Sequence, residues 1–109
     1  MRDMPVDTPS FDPDALTGNA AKAAALLRAL SHEGRLMILC HLSSGEKTVG
    51  ALEYLLDCRQ AAMSQQLARL RKDGLVSARR DGKAIYYSIS DEKARDLVAL
   101  VYEIFCKTR

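Results

Sequence analysis

After Pro13 the chain runs to Arg109 without another proline. Proline inside a helix removes a donor and clashes with the preceding turn, so 96 residues free of it leave long helices open to the chain. All three prolines, Pro5, Pro9 and Pro13, sit instead among Asp3, Asp7, Thr8, Ser10 and Asp12. That composition reads as a flexible tail over residues 1–13, ahead of a single folded unit over residues 14–109. With 109 residues in all, there is no room for a second, catalytic domain, and no enzyme is expected. A chain this short buries only a modest core, so association with a second copy would help it.

The pattern of the proline-free part changes period twice, from helical to β-prone and back to helical. From Asp14 to about Leu30 it is rich in alanine and leucine and reads as a helix, with Gly18 and Asn19 weakening its start. Ser31 is the expected N-cap of a second helix, His32 to Leu42, and Ser43, Ser44 and Gly45 end it. Thr48 caps a short third helix, Val49 to about Leu55, with Leu52 and either Leu55 or Leu56 inward. After a brief turn from Asp57, a fourth helix runs from Gln60 to Lys72, with Met63, Leu67 and Leu70 at core spacing and Gly74 as its stop. Two β-prone runs follow, Leu75 to Arg80 and Lys83 to Ile89, joined at the hairpin signal Asp81-Gly82. Ser90 or Asp91 caps a last helix that reaches about Cys106, with an apolar stripe at Ala94, Leu97, Val98, Val101, Ile104 and Phe105. Leu100 widens that stripe beyond what one packing surface needs.

Hydrophobic residues at 48% and charged residues at 28% are values of a globular protein. No stretch approaches the roughly 18 to 20 apolar residues of a membrane span. The segment Met1 to Pro13 lacks the apolar centre of a secretion signal, so a cytoplasmic location is expected. Three widely spaced cysteines, Cys40, Cys58 and Cys106, are an odd number and point to free thiols rather than a disulfide framework.

Net charge is only +2, but the window from Arg59 to Lys83 nets +5 and leaves −3 for the rest. A charge run alone is usually solvated surface. Here it coincides with a helix pair followed by a basic two-stranded hairpin, which together make a winged helix-turn-helix: mainly α, in the order α-α-α-α-β-β-α, with a hairpin wing. The second helix of such a pair enters the major groove of duplex DNA. With Met63, Leu67 and Leu70 buried, Ala61, Gln65, Ala68 and Arg69 point away from the core, flanked by Gln60 and Ser64. Gln reads adenine in bidentate fashion and Ser donates or accepts. Arg59, Arg69, Arg71 and Lys72 are candidates for phosphates, and Arg79, Arg80 and Lys83 of the hairpin for backbone or the minor groove.

These residues carry a resemblance. Leu30-Ser31-His32-Glu33-Gly34-Arg35-Leu36 resembles the "LSHPxRL" signature of ArsR-type winged-helix repressors. The run from Met63 to Val76 is similar to their recognition helix and first strand, and Arg79 to Tyr87 to their wing. The resemblance spans about Ala20 to Cys106. It implies a homodimer paired through the first and last helices, presenting two recognition helices to an inverted-repeat operator.

Members of this family mostly answer to an effector. The stretch Glu46 to Leu52 lacks the Cys-x-Cys pair of one common metal site, and Asp91 to Cys106 lacks the histidines of another, so no metal ligand set and no cofactor is assigned. "RLMILC", ending in Cys40, and "VYEIFC", ending in Cys106, resemble the persulfide-sensing dithiol branch represented by SqrR and BigR. That branch implies that reactive sulfur species bridge the two cysteines, within one protomer, and lower operator affinity. Cys58 falls outside its pattern; His32 and His41 are expected to be structural or surface residues. The alternative is a thiolate sensor of a metal or metalloid. A thiol enzyme is disfavoured by the missing Cys-x-x-Cys pair and the lack of a positioned base, and a protein-binding winged helix is the remaining competitor.

Overall fold

The computed structural model describes residues 11–57 and 60–106, with Gln60 by its backbone only. Five helices and three strands follow one another as α1 (Pro13–Leu30), α2 (Glu33–Leu42), β1 (Lys47–Thr48), α3 (Val49–Leu56), α4 (Gln60–Lys72), β2 (Val76–Asp81), β3 (Ala84–Ile89) and α5 (Glu92–Phe105). Helix α1 starts where Asp12 accepts from the Asp14 N–H and Pro13 occupies the first turn, where its missing donor costs nothing. The expected cap at Ser31 is corrected. His32 is the N-cap of α2, its Nδ1 accepting from the N–H groups of Gly34 and Arg35, while the Ser31 hydroxyl turns back to donate to the Arg28 carbonyl at 2.7 Å. Thr48 caps α3 and Asp91 caps α5, as their short polar side chains predict.

Helix α3 ends on Asp57 in the left-handed conformation, which turns the chain toward α4. At the end of α4 the Leu75 N–H donates to the Leu70 carbonyl and the Gly74 N–H to that of Arg71, a Schellman cap with Gly74 at φ +77°. Leu70 and Leu75, brought together by that cap, are both in the core.

The sheet is antiparallel with order β1-β3-β2. Asp81 pairs with Ala84, so the hairpin loop is Gly82-Lys83 rather than Asp81-Gly82, with the positive φ that a tight turn requires on Gly82. Strand β1 was not expected from the sequence; Lys47 and Thr48 pair with Tyr87 and Tyr86 and anchor the wing's second strand to the loop that leaves α2. Helix α2 lies at the centre, packed against α1, α3, α4, α5 and β3. Its Ile38, Leu39 and Leu42 join Leu52, Met63, Leu67, Leu70, Val76, Ile89, Ala94 and Val98 in one core. Of the two inward candidates on α3, Leu56 packs against this core and Leu55 stays exposed. No described helix is long and apolar enough to cross a membrane.

Candidate DNA-binding face and thiol cleft

Burial divides α4 into two faces. Met63, Leu67 and Leu70 are fully buried, and Ala61, Ser64, Gln65, Ala68 and Arg69 all lie on the exposed side. Ser64 and Gln65 therefore face solvent, on the side of α4 away from the core. Gln66, between the faces, has a different job: its Oε1 accepts from Arg35 Nη1 at 3.2 Å, and Arg35 Nε also donates to the Ala29 carbonyl at 2.9 Å. One arginine of α2 thus ties the end of α1 to α4. Arg69 faces outward but donates to Asp73, one turn on, at 3.1 Å.

In the wing, Arg80 and Lys83 are exposed, with no ion-pair partner among the described residues. Arg79 is engaged. Its Nε and Nη2 donate to the two carboxylate oxygens of Glu46 at 2.9 and 2.5 Å, and its guanidinium lies 4.5 Å from the centroid of the Tyr86 ring. Those hydrogen bonds hold the Glu46 carboxyl below the usual carboxylate range. Arg59 and Cys58 lie outside the described residues, as does the side chain of Gln60.

The second site lies at the other end of α2. Cys40, in its last turn, is half-buried; Cys106, the C-cap of α5, is exposed; both are free thiols. They line one open cleft of about 440 Å³ together with Met37, His41, Ser43, Ser44 and Tyr102. Burial, and secondarily the proximity of Cys106, pushes the Cys40 thiol above its ordinary range. His41, expected at the surface, is half-buried and lines this cleft beside both thiols. Among the described residues, no group of three or more His, Cys, Asp or Glu side chains could hold a metal ion.

Residues 32–78 match the model of the family described as bacterial regulatory protein, arsR family. A biofilm growth-associated repressor of Agrobacterium fabrum is 43% identical over 102 residues, which cover 94% of this chain and 87% of the relative. The chain belongs to the ArsR family. The transcriptional activator HlyU of Vibrio cholerae is 40% identical over 82% of both chains. The crystal structure of the transcriptional repressor BigR from Xylella fastidiosa superimposes with a TM-score of 0.84 at 41% identity, covering 90% of this chain and all of that one. The protein is an ArsR-family transcriptional regulator with a winged helix-turn-helix, and not an enzyme.

Sequence reasoning missed Glu46 and Arg35, because each acts through a partner about thirty positions away. It also missed the contribution of His41 and Tyr102 to the cleft, for which no short-range pattern exists.

Proposed function

We propose that this regulator is a homodimeric repressor of the cytoplasm. It holds an inverted-repeat operator while Cys40 and Cys106 are thiols, and releases it when persulfides or related reactive sulfur species bridge them. The observation that carries the reading is that both thiols border one cleft of a single protomer. The relatives named repressors support the sign of regulation. Ser64, Gln65 and the N-terminal half of α4 read base edges, and Arg80 and Lys83 meet backbone phosphates. The apolar residues left exposed on α1 and α5 form the dimer contact.

The chemistry follows exposure. The Cys106 thiolate, the more accessible of the two, attacks the outer sulfur of a persulfide RSSH; the S–S bond breaks and RSH leaves. The Cys40 thiolate then attacks the inner sulfur of that persulfide, Cys106 Sγ; the Sγ–S bond breaks and the outer sulfur leaves as hydrogen sulfide. Two protein thiols are oxidised to a disulfide and one persulfide is reduced to RSH and H₂S. Each further sulfur in the bridge consumes one more persulfide and releases one more RSH. A direct disulfide needs Cα atoms roughly 4.4–6.8 Å apart, so added sulfurs let more distant thiols join.

The test is mass spectrometry with peptide mapping after reaction of the reduced protein with glutathione persulfide. It is followed by binding to a duplex selected from a random pool by the reduced protein. A Cys40–Cys106 link and a loss of affinity of about 5- to 150-fold are expected. A Cys40→Ser variant that still releases DNA on the same treatment overturns the assignment. Release on titration with arsenite or zinc under reducing conditions, with persulfide inert, would establish the metal or metalloid sensor instead.

A further inference from the structure

We propose that Arg79 is a positioning residue, not a phosphate contact: with Glu46 it forms a strut that pins the wing to the turn bordering the thiol cleft. The inference rests on the DNA-binding reading above, and its second half on the cleft being the switch.

The guanidinium already has one edge and a compensating charge: Glu46 holds it, and only its Nη1 side stays open to solvent. Nε and Nη2, which form one edge, are both spent on Glu46. Nη1 lies 4.0 Å from the Asp81 carboxylate, and the ring of Tyr86 covers a face. A phosphate approaching the open Nη1 side would meet a guanidinium whose charge Glu46 already offsets, with Asp81 also near. Arg80 is the next residue of the same strand and so points to the opposite face of the hairpin. The two adjacent arginines, alike in sequence, therefore take different work: Arg80 and Lys83 remain for phosphates, and Arg79 holds the wing in place.

What the strut reaches is the second point. Glu46 directly precedes β1, whose Lys47 and Thr48 pair with β3 of the wing. On its other side lies the turn Ser43-Ser44-Gly45 that ends α2. There the Ser43 hydroxyl donates to the Cys40 carbonyl at 2.6 Å, the Ser44 hydroxyl to the His41 carbonyl at 3.0 Å, and Lys47 Nζ to the Ser44 hydroxyl at 3.1 Å. Ser43 and Ser44 line the thiol cleft themselves. A bridge that draws Cys40 toward Cys106 displaces this turn, and the strut passes the displacement to the wing.

The experiment measures affinity of the reduced protein against salt concentration. The probes are a duplex selected from a random pool and a mixed-sequence duplex of equal length. Each neutralised phosphate contributes about −0.9 to the slope of log K on log salt. Arg80→Ala should flatten the slope by roughly 1.8 per dimer, since each protomer then leaves one phosphate without its cation. Arg79→Ala should weaken binding with the slope unchanged, and Glu46→Gln should weaken it too. The charge swap Glu46→Arg/Arg79→Glu should bind better than Glu46→Gln/Arg79→Gln, a double variant of the same net charge without the ion pair, which a phosphate-binding role for Arg79 does not predict. A flattened slope in Arg79→Ala, tighter binding in Glu46→Gln, or no advantage of the swap over that double variant overturns the strut.

For the coupling, Cys40 and Cys106 are bridged and the link confirmed by mass spectrometry. A bis-alkylating reagent is used where persulfide leaves the thiols free, so that failure of persulfide sensing is seen separately. Bridging should cost the wild type more affinity than it costs Glu46→Gln. Equal losses, or none in the wild type, overturn the coupling.

Discussion

Helices α4 and α5 are both amphipathic, yet they finish their apolar stripes differently. Every stripe residue of α4 is buried inside the protomer. The stripe of α5 is buried at Ala94 and Val98, half-buried at Leu97 and Val101, and then open, with Ile104 62% and Phe105 80% exposed. Helix α1 repeats the second behaviour: Ala29 and Leu30 are buried while Leu16 and Leu27 are exposed, Leu27 at 57%. The stripe of α4 in the head is closed by the protomer's own core, and the stem of α1 and α5 leaves its apolar residues open. Cys106 sits at the end of that open stem and Cys40 on the central helix of the closed head, so a bond between them joins the two regimes.

The sharpest way to break this contrast is to truncate one stripe residue on each helix. Leu67→Ala empties a fully buried site and should lower the free energy of unfolding by about 2–5 kcal/mol, since the cavity left cannot collapse fully. Urea denaturation at one fixed protein concentration measures it, because a dimer's stability depends on concentration. A loss under about 1 kcal/mol would mean that the head is less closed than its burial implies.

The stem should answer to charge rather than to truncation. Ile104→Glu places a carboxylate in the proposed dimer contact and should weaken association by at least roughly 1–3 kcal/mol for each copy, the cost of burying a neutral polar group without a partner, since a charge costs more. Sedimentation equilibrium reads the dimer constant, and the circular dichroism of the dilute protomer should keep its helical signal. A dimer of unchanged strength would move the interface off the end of α5.

This contrast also separates what the sequence discloses from what it hides. The limits of α4 and its buried stripe are legible because thirteen residues carry one unbroken period between a turn and a glycine stop. The outward placement of Ser64 and Gln65 follows from the same period. Strand β1 is hidden, because Lys47 and Thr48 have no pattern of their own and become a strand only when β3 supplies the partner. The α1–α2 junction misleads, because two neighbouring residues can both cap; His32 prevails where Ser31 finds the Arg28 carbonyl instead. In α5 the stripe is visible, but where the protomer's core stops beneath it is a tertiary fact. The pairing of Cys40 with Cys106 came from resemblance to a family. Their shared cleft, and the grip of Glu46 on Arg79, needed the fold.

The smallest expected effect tests whether the two thiols sense each other across that boundary. Burial raises the Cys40 thiol first, and the Cys106 thiolate raises it further by disfavouring a second negative charge in the cleft. Because the folded value lies above the unfolded one, the stabilisation linked to protonated Cys40 is complete below the ordinary thiol range. It is lost as pH climbs from that range through the raised value. The rate of Cys40 alkylation by iodoacetamide, followed by peptide mapping, should therefore have its midpoint above the ordinary thiol range. Cys106→Ser removes the charge but not the burial, so the midpoint should fall part of the way back. A midpoint that does not move would leave burial as the whole cause and would place Cys106 too far from Cys40, in solution, for the charge on one to reach the other.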